Sequence, residues 1–376
     1  MTQALINPAL MTWSRRRAGL TQAELAESIP VKEEKVQAWE KGESRPTFRQ
    51  AQQWADRAHI PFGFLFLKAP PQENLPLPDL RTVGGDTPRS PSIDLLDTVR
   101  DVLRKQEWYL DYLAGQERAP LPFVGRFKMT DAVEQVVADI RHVLGIQVPL
   151  KKGADEYMRQ LLAAADAAGI LVMRSGIVGS NTRRKLDVGE FRGFAIGDQF
   201  APVVFINIAD APAARLFTLI HELAHIWIGS SGISSASPSD SREIETFCNA
   251  VAGEFLVPEQ IFRQRWASAV DWMVQLPELA ASFHVSKLVI ARRASDLGFI
   301  SRDAYVAFYL AELKAYRDQK GGGGNFYQSA EGKNSKRFSR AVLSEALSGR
   351  LLLREAGKLL GVQPAKVRTY AEKTDE

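Results

Sequence analysis

The stretch FTLIHELAHIWIG, Phe217–Gly229, sets His221 and His225 four residues apart with Glu222 beside the first. Histidine is scarce, 5 residues in 376, so a pair one helical turn apart invites a chemical reading. No Pro or Gly interrupts Ala214 to Ile228, and apolar residues continue on both sides of the pair, which predicts a buried helix. Residues four apart on a helix share a face, so both imidazoles can reach one cation at about 2.0–2.1 Å from nitrogen. Glu222 is rotated by about 100° from His221. It therefore stands beside such a cation, placed to take a proton from a water whose pKa the metal lowers towards about 7. The competing account is two core histidines with local hydrogen bonds and a salt-bridged glutamate. Burying three ionisable groups without a shared partner is costly, and that favours a metal.

A third ligand has to come from elsewhere. The following segment, SDSREIETFCNAVAGEFLVP, offers Glu243, Glu245, Cys248 and Glu254. On a helix, Glu245, Asn249, Ala252 and Leu256 form one stripe, and Glu254 falls about 180° from Glu245, so those two cannot share a metal. Small Ala250, Ala252 and Gly253 would let this helix pack closely on the first. Cys248, among Ile244, Val251 and Phe255, reads as a small hydrophobe, although a thiolate ligand is not excluded by spacing.

Elements must position these groups. Helical periodicity marks IDLLDTVRDVLRKQEWYLDYL, TDAVEQVVADIRHVLGI and ADEYMRQLLAAADAAGI, and short β-branched runs in GILVMRS, FRGFAIGD and APVVFINIAD read as strands. Residues 71–92, rich in Pro, Gly and polar residues, read as a linker, and the GGGGN run at 321–325 is a second break. The chain is 45% hydrophobic, enough for two or three cores. Residues 1–70 hold 10 Lys/Arg against 7 Asp/Glu, and residues 321–376 hold 10 against 6, so both ends are basic while the centre is not. One cysteine excludes an internal disulfide and fits a reducing compartment. No signal-peptide order and no run of about 18 uncharged apolar residues is visible, so a cytoplasmic protein without a membrane span is expected.

Near the N-terminus five short helical patterns follow one another. Thr21 with Glu24 three residues on makes a capping box, TQAELAESI buries Leu25 and Ala26, and Gly42 suits the end of KEEKVQAWEKG. This stretch, roughly residues 8–67, resembles the Xre/Cro-type helix-turn-helix family. The resemblance implies that Gln22 touches a phosphate, that Lys32, Glu33 and Gln37 face bases, and that Lys35, Lys41 and Arg45 neutralise the DNA backbone. Pro30, where the family often has Gly, and the acidic pair Glu33 and Glu34 depart from the pattern. The alternative is a protein-interaction module of the same size.

The run FRGFAI, APVVFIN, ARLFTLIHELAHIWIG and EIETFCNAVAGEFLVP is similar to the ImmA/IrrE family of metallopeptidases, over roughly residues 130–320. That resemblance implies zinc held by His221, His225 and Glu245, with Glu222 as the catalytic base. Cys248 and Val251 replace an Ala and a Phe of the family pattern. It also implies that APVVFINIAD is an edge strand receiving an extended substrate, the alternative being an ordinary sheet strand. Arg192, beside a strand, is a candidate for oxyanion stabilisation that spacing alone does not select. The tail, KRFSRAVLSEALSGRLLLREAGKLLGVQPAKVRTYAEK, has the cadence of another helix-turn-helix with Gly361 at the turn and Lys366 and Arg368 outward; a helical cap on the peptidase domain fits equally.

The expected architecture is α+β and mostly α. It comprises a five-helix Xre-type domain at 1–70, a linker at 71–92, a zincin-like metallopeptidase domain with a small sheet at 93–320, and a C-terminal helical segment at 321–376. The expected function is a cytoplasmic DNA-binding regulator whose zinc peptidase cleaves a repressor or antitoxin in a stress or mobile-element switch; a homodimer fits such a role. The alternative is a regulator or antitoxin whose metallopeptidase-like domain binds metal or a signal without proteolysis.

Overall fold

The computed structural model describes residues 3–73, 76–77, 91–116, 118–146, 154–234, 243–318 and 332–374. Most of the expected linker at 71–92, and the glycine run at 321–325, lie outside the described residues. Two compact units are present, one drawn from residues 1–75 and 90–96, the other from the rest of the chain.

The first unit contains α1 (Pro8–Arg17), α2 (Gln22–Ser28), α3 (Glu33–Lys41) and α4 (Phe48–Arg57). The fifth expected helix is a 3₁₀ turn, Phe62–Phe66. Thr21 and Glu24 form the expected capping box at the start of α2, and α3 ends on Gly42 at φ 75°, where a side chain would be strained. Trp39 of α3 meets Trp54 of α4 edge-on at 6.1 Å, over a core that includes Leu25 and Val36. Pro30 lies in the turn between α2 and α3.

The second unit takes most of α5 (Ile93–Ala114), then α6 (Val133–Leu144), α7 (Ala154–Ala168), β1 (Leu171–Ser175), β2 (Gly193–Ile196), β3 (Val203–Asn207) and α8 (Pro212–Trp227). It continues with β4 (Gly232–Ser234), α9 (Glu243–Leu256), α10 (Glu259–Arg265), α11 (Trp272–Phe283), α12 (Lys287–Asp296) and α13 (Arg302–Asp318). The last helices are α14 (Lys336–Leu347), α15 (Leu353–Leu360) and α16 (Val367–Thr374).

The sheet order is β1-β3-β2-β4, with β1 parallel to β3 and the other pairs antiparallel. This corrects one expectation. The strand within APVVFINIAD is β3, which is paired on both sides, Val204 with Val172 and with Ala195, so its backbone has no free edge for a substrate. The edge nearer the histidine helix is instead β4, a three-residue strand too short to stand out in the sequence.

Side chains alternate across β2, so Gly193 and Ala195 both lie beneath α8. A Cβ on Gly193 would sit 2.8 Å from the Glu222 carboxylate, from the Phe205 carbonyl oxygen and from the Thr218 methyl. Only glycine allows helix and strand to approach this closely. On the opposite face Phe194 stacks on Phe205 at 4.9 Å. Pro212 opens α8, where its missing N–H costs nothing, and Gly229, at φ 66°, turns the chain after the helix against Gly125. Helix α9 lies along α8 with Glu245, Cys248 and Ala252 buried.

The C-terminal helices pack on this unit. Phe338 of α14 is fully buried against Trp108 and Tyr109 of α5. Arg337 donates to the carbonyls of Asp166 and Ala167 at the end of α7, and Arg174 of β1 bonds through its backbone N–H to the Lys333 carbonyl at 2.7 Å. Of the two roles weighed for this tail, a helical cap describes these contacts. Its Gly361 turn and exposed Lys366 and Arg368 are as expected.

Candidate functional site

His221 and His225 project from one face of α8, and Glu245 from the facing side of α9. The three carry ligand atoms that lie together and are all buried. The two imidazole Nε2 atoms are 3.2 Å apart, His221 Nε2 is 3.2 Å from Glu245 Oε2, and His225 Nε2 is 3.2 Å from Glu245 Oε1. A tetrahedral ion with ligands at about 2.0–2.1 Å has ligand-to-ligand edges of about 3.3 Å, close to the spacing of the two imidazole nitrogens and of each nitrogen to its own Glu245 oxygen. Glu245 Oε1 makes no hydrogen bond despite its proximity to His225, as expected of atoms aimed at a common centre rather than at each other.

The charges agree. Burial works against an ionised Glu245, but the adjacent imidazoles outweigh it and hold the carboxyl at about 2. Burial also opposes a charged His221, yet Glu245 overrides it and raises the imidazole above its ordinary value, while burial lowers His225. The result is a buried carboxylate facing two imidazoles, with Glu222 adding to the field at His221. His221 Nδ1 lies 3.1 Å from Asn249 Oδ1, one turn beyond Glu245 on α9. An amide oxygen can only accept, so Nδ1 carries the proton and the Nε2 lone pair faces the centre.

Glu222 is fully buried and neither carboxylate oxygen has a hydrogen-bond partner among the described residues. Burial pushes its carboxyl up to about 8, with His221 pulling the other way. A cleft of about 80 Å³ runs alongside, with Thr218, His221, Glu222, Ser234 and Asn249 in its floor. Its far wall comes from α12 and α13 through Arg292, Tyr305 and Tyr309, and Arg192 reaches its rim while paired to Asp210 at 3.3 Å.

The other candidates sort clearly. Glu243 is exposed, Cys248 is packed in the core with its thiol pushed up by burial, and Glu254 forms an ion pair with Arg293. Sequence reasoning passed over Gly193 and the α12–α13 wall; Asn249 it placed on the right stripe without a role. The FRG of FRGFAI was the available signal for Gly193, since a glycine inside a strand marks a close approach.

In the first unit, Lys32, Glu33, Lys35, Lys41 and Arg45 are exposed on or beside α3, and Gln37 is half-buried with its amide on Glu33 at 3.3 Å. Lys35 lies over the Trp39 ring at 5.8 Å. Gln22 is drawn inward instead: its amide donates to Glu40 at 2.6 Å, and Glu40 is also paired with Arg15.

Comparison with known families gives three matches. Residues 13–65 match a helix-turn-helix domain, residues 165–295 an IrrE N-terminal-like domain of a metallopeptidase family, and residues 334–373 a domain of unknown function. No curated protein matches the chain significantly. The chain thus joins a DNA-binding helix-turn-helix domain to an IrrE N-terminal-like peptidase-family domain, and the buried His–His–Glu cluster lies within the latter.

Proposed function

We propose that this chain is a cytoplasmic regulator whose second unit is a zinc peptidase acting on a protein partner, a repressor or an antitoxin, in a stress or mobile-element switch. The observation that carries this reading is the buried cluster of His221, His225 and Glu245, joined by 3.2 Å contacts, with an unpartnered Glu222 carboxylate against it. Two nitrogens and one carboxylate with one open position are the donor set of a catalytic zinc site. Zinc held there supplies Lewis acidity and lowers the pKa of a water towards about 7. Glu222, next to His221 and facing the cleft, would be the group that holds and passes on a proton in peptide hydrolysis. The free side of β4, which no strand covers among the described residues, is a suitable rail for an extended substrate. The helix-turn-helix unit would deliver this activity to an operator, with Lys32, Glu33 and Gln37 towards bases and Lys35, Lys41 and Arg45 towards phosphates, while Gln22 stays bonded to Glu40.

A second reading rests on the closure of the site. Glu222 is 0% and His221 5% exposed, which suits a regulator that holds metal without cutting. The two part in one experiment. Cells expressing wild type or Glu222→Gln are compared for protein fragments. The peptidase reading expects a partner cleaved only by wild type, with about one zinc per chain in both proteins and none in His221→Ala. Equal cleavage by wild type and Glu222→Gln removes the proposed base. Zinc without any cleaved partner leaves the sensor.

A further inference from the structure

At the β1 edge of the sheet, away from the β4 edge and the metal cluster, a second cavity encloses about 840 Å³. Its walls are the C-terminal half of α5, the outer face of α7, β1 and α14. Arg118, Arg159, Arg174, Lys336, Arg337 and Arg340 line it, against a single carboxylate among the described residues, Asp166. That carboxylate is already engaged, accepting from the Ser335 hydroxyl at 2.5 Å and the Arg337 backbone N–H at 2.9 Å. Two of the guanidiniums are fixed by neutral groups: Arg337 by the Asp166 and Ala167 carbonyls, Arg174 by the Gly332 carbonyl at 3.0 Å. Such bonds orient a cation without cancelling its charge. Lys336 and Arg340 are exposed and make no hydrogen bond or ion pair among the described residues. Arg159 is the exception, paired with Glu156.

A concave wall carrying this excess of one sign focuses its field and draws anions. Aromatic groups stand in the same wall. Tyr109 and Tyr112 line the cavity, and Tyr112 is stacked on Trp108 with ring centres 5.8 Å apart and planes within 9°. Cations that suit phosphates and ring faces that suit a base are the two halves of a nucleotide site. The volume falls in the range of about 300–1,000 Å³ typical of small-molecule sites.

We propose that this cavity binds a nucleoside polyphosphate, with its phosphates on Arg174, Lys336 and Arg340 and its base against Tyr112. The ligand would span the joint between the sheet edge and the C-terminal helices, so binding would tighten that joint.

The test is calorimetric titration of the full chain with magnesium ATP, pyrophosphate, adenosine and a short oligothymidylate. Magnesium ATP is expected to bind at least about tenfold more tightly than pyrophosphate, and adenosine not measurably. Lys336→Glu/Arg340→Glu should weaken ATP at least about tenfold with unchanged melting and zinc content, because neither side chain holds the fold together. Tyr112→Ala should weaken ATP while leaving pyrophosphate as it was. No heat with ATP, equal affinity in the double variant, equal binding of pyrophosphate, or binding of the oligonucleotide alone would each overturn the proposal.

Discussion

The metal cluster depends on atoms beyond the three that touch its centre. Asn249 fixes the His221 tautomer through a 3.1 Å contact, and without it the ring can turn or carry its proton on the wrong nitrogen. Asn249→Ala is expected to lower zinc affinity by about 10- to 100-fold with little change in melting of the metal-free chain. Competition with a chromophoric chelator measures this, and an unchanged affinity would show that Asn249 does not orient the ring. Glu222 makes a prediction of its own in the metal-free protein. Its folded pKa, about 8, lies above the ordinary 4.5, so the folded chain keeps this proton over a range in which the unfolded chain has lost it. The stability this group contributes is complete below pH 4.5 and is lost as pH rises towards 8. By pH 7 the loss reaches about 3 kcal/mol. Glu222→Gln should lack this decline, so in chelator the gap between variant and wild type widens from pH 4.5 to pH 7. Parallel stability profiles for the two proteins would contradict it.

At the level of elements, the approach of β2 to α8 determines whether the cluster can form. Gly193→Ala would set a methyl 2.8 Å from three groups, one of them the backbone carbonyl of Phe205, which cannot swing aside. The strand must move or the helix must, at about 1–3 kcal/mol. Zinc content and melting should both fall; a variant retaining both would mean the strand yields without disturbing Glu222. This contact also marks where sequence reading stopped. Helix α8 and the α9 stripe were legible because periodicity is local: the shared face of His221 and His225 and the stripe bearing Glu245 follow from 3.6 residues per turn, while the choice of Glu245 as third ligand came from the family resemblance. Strand order is not local. β3 bonds to β1 some 30 residues earlier and to β2 between them, and nothing in VVFIN distinguishes a central from an edge strand when both sheet faces are buried. The wall residues Tyr305 and Tyr309 were hidden for a related reason, since a tyrosine on a helix carries no mark of what it will face after the three helices that separate α13 from α9. The 3₁₀ turn at Phe62–Phe66 was read as a helix because its apolar run is too short to separate the two.

At the scale of the molecule, the question is whether the tail beyond residue 331 is a domain of its own or part of the peptidase-like unit. Its family match, residues 334–373, suggests an independent module. Its contacts argue for integration. Phe338 is fully buried between its own helices and the aromatic pair Trp108 and Tyr109, Ser335 and Arg337 both bond to Asp166 of α7, and the Lys333 carbonyl occupies the backbone of the β1 edge. An unpaired strand edge invites association with other chains, so the tail also shields β1. If it is integrated, removing a buried aromatic ring at the joint must weaken the whole unit. Phe338→Ala is then expected to cost about 3–5 kcal/mol and to lower the single unfolding transition that carries the zinc site, followed by denaturant melts of the zinc-bound chain. A separate tail would instead melt early in its own transition, with the zinc-bearing transition where it is in wild type. Loss of zinc at the same denaturant concentration as loss of tail structure is the outcome the packing requires.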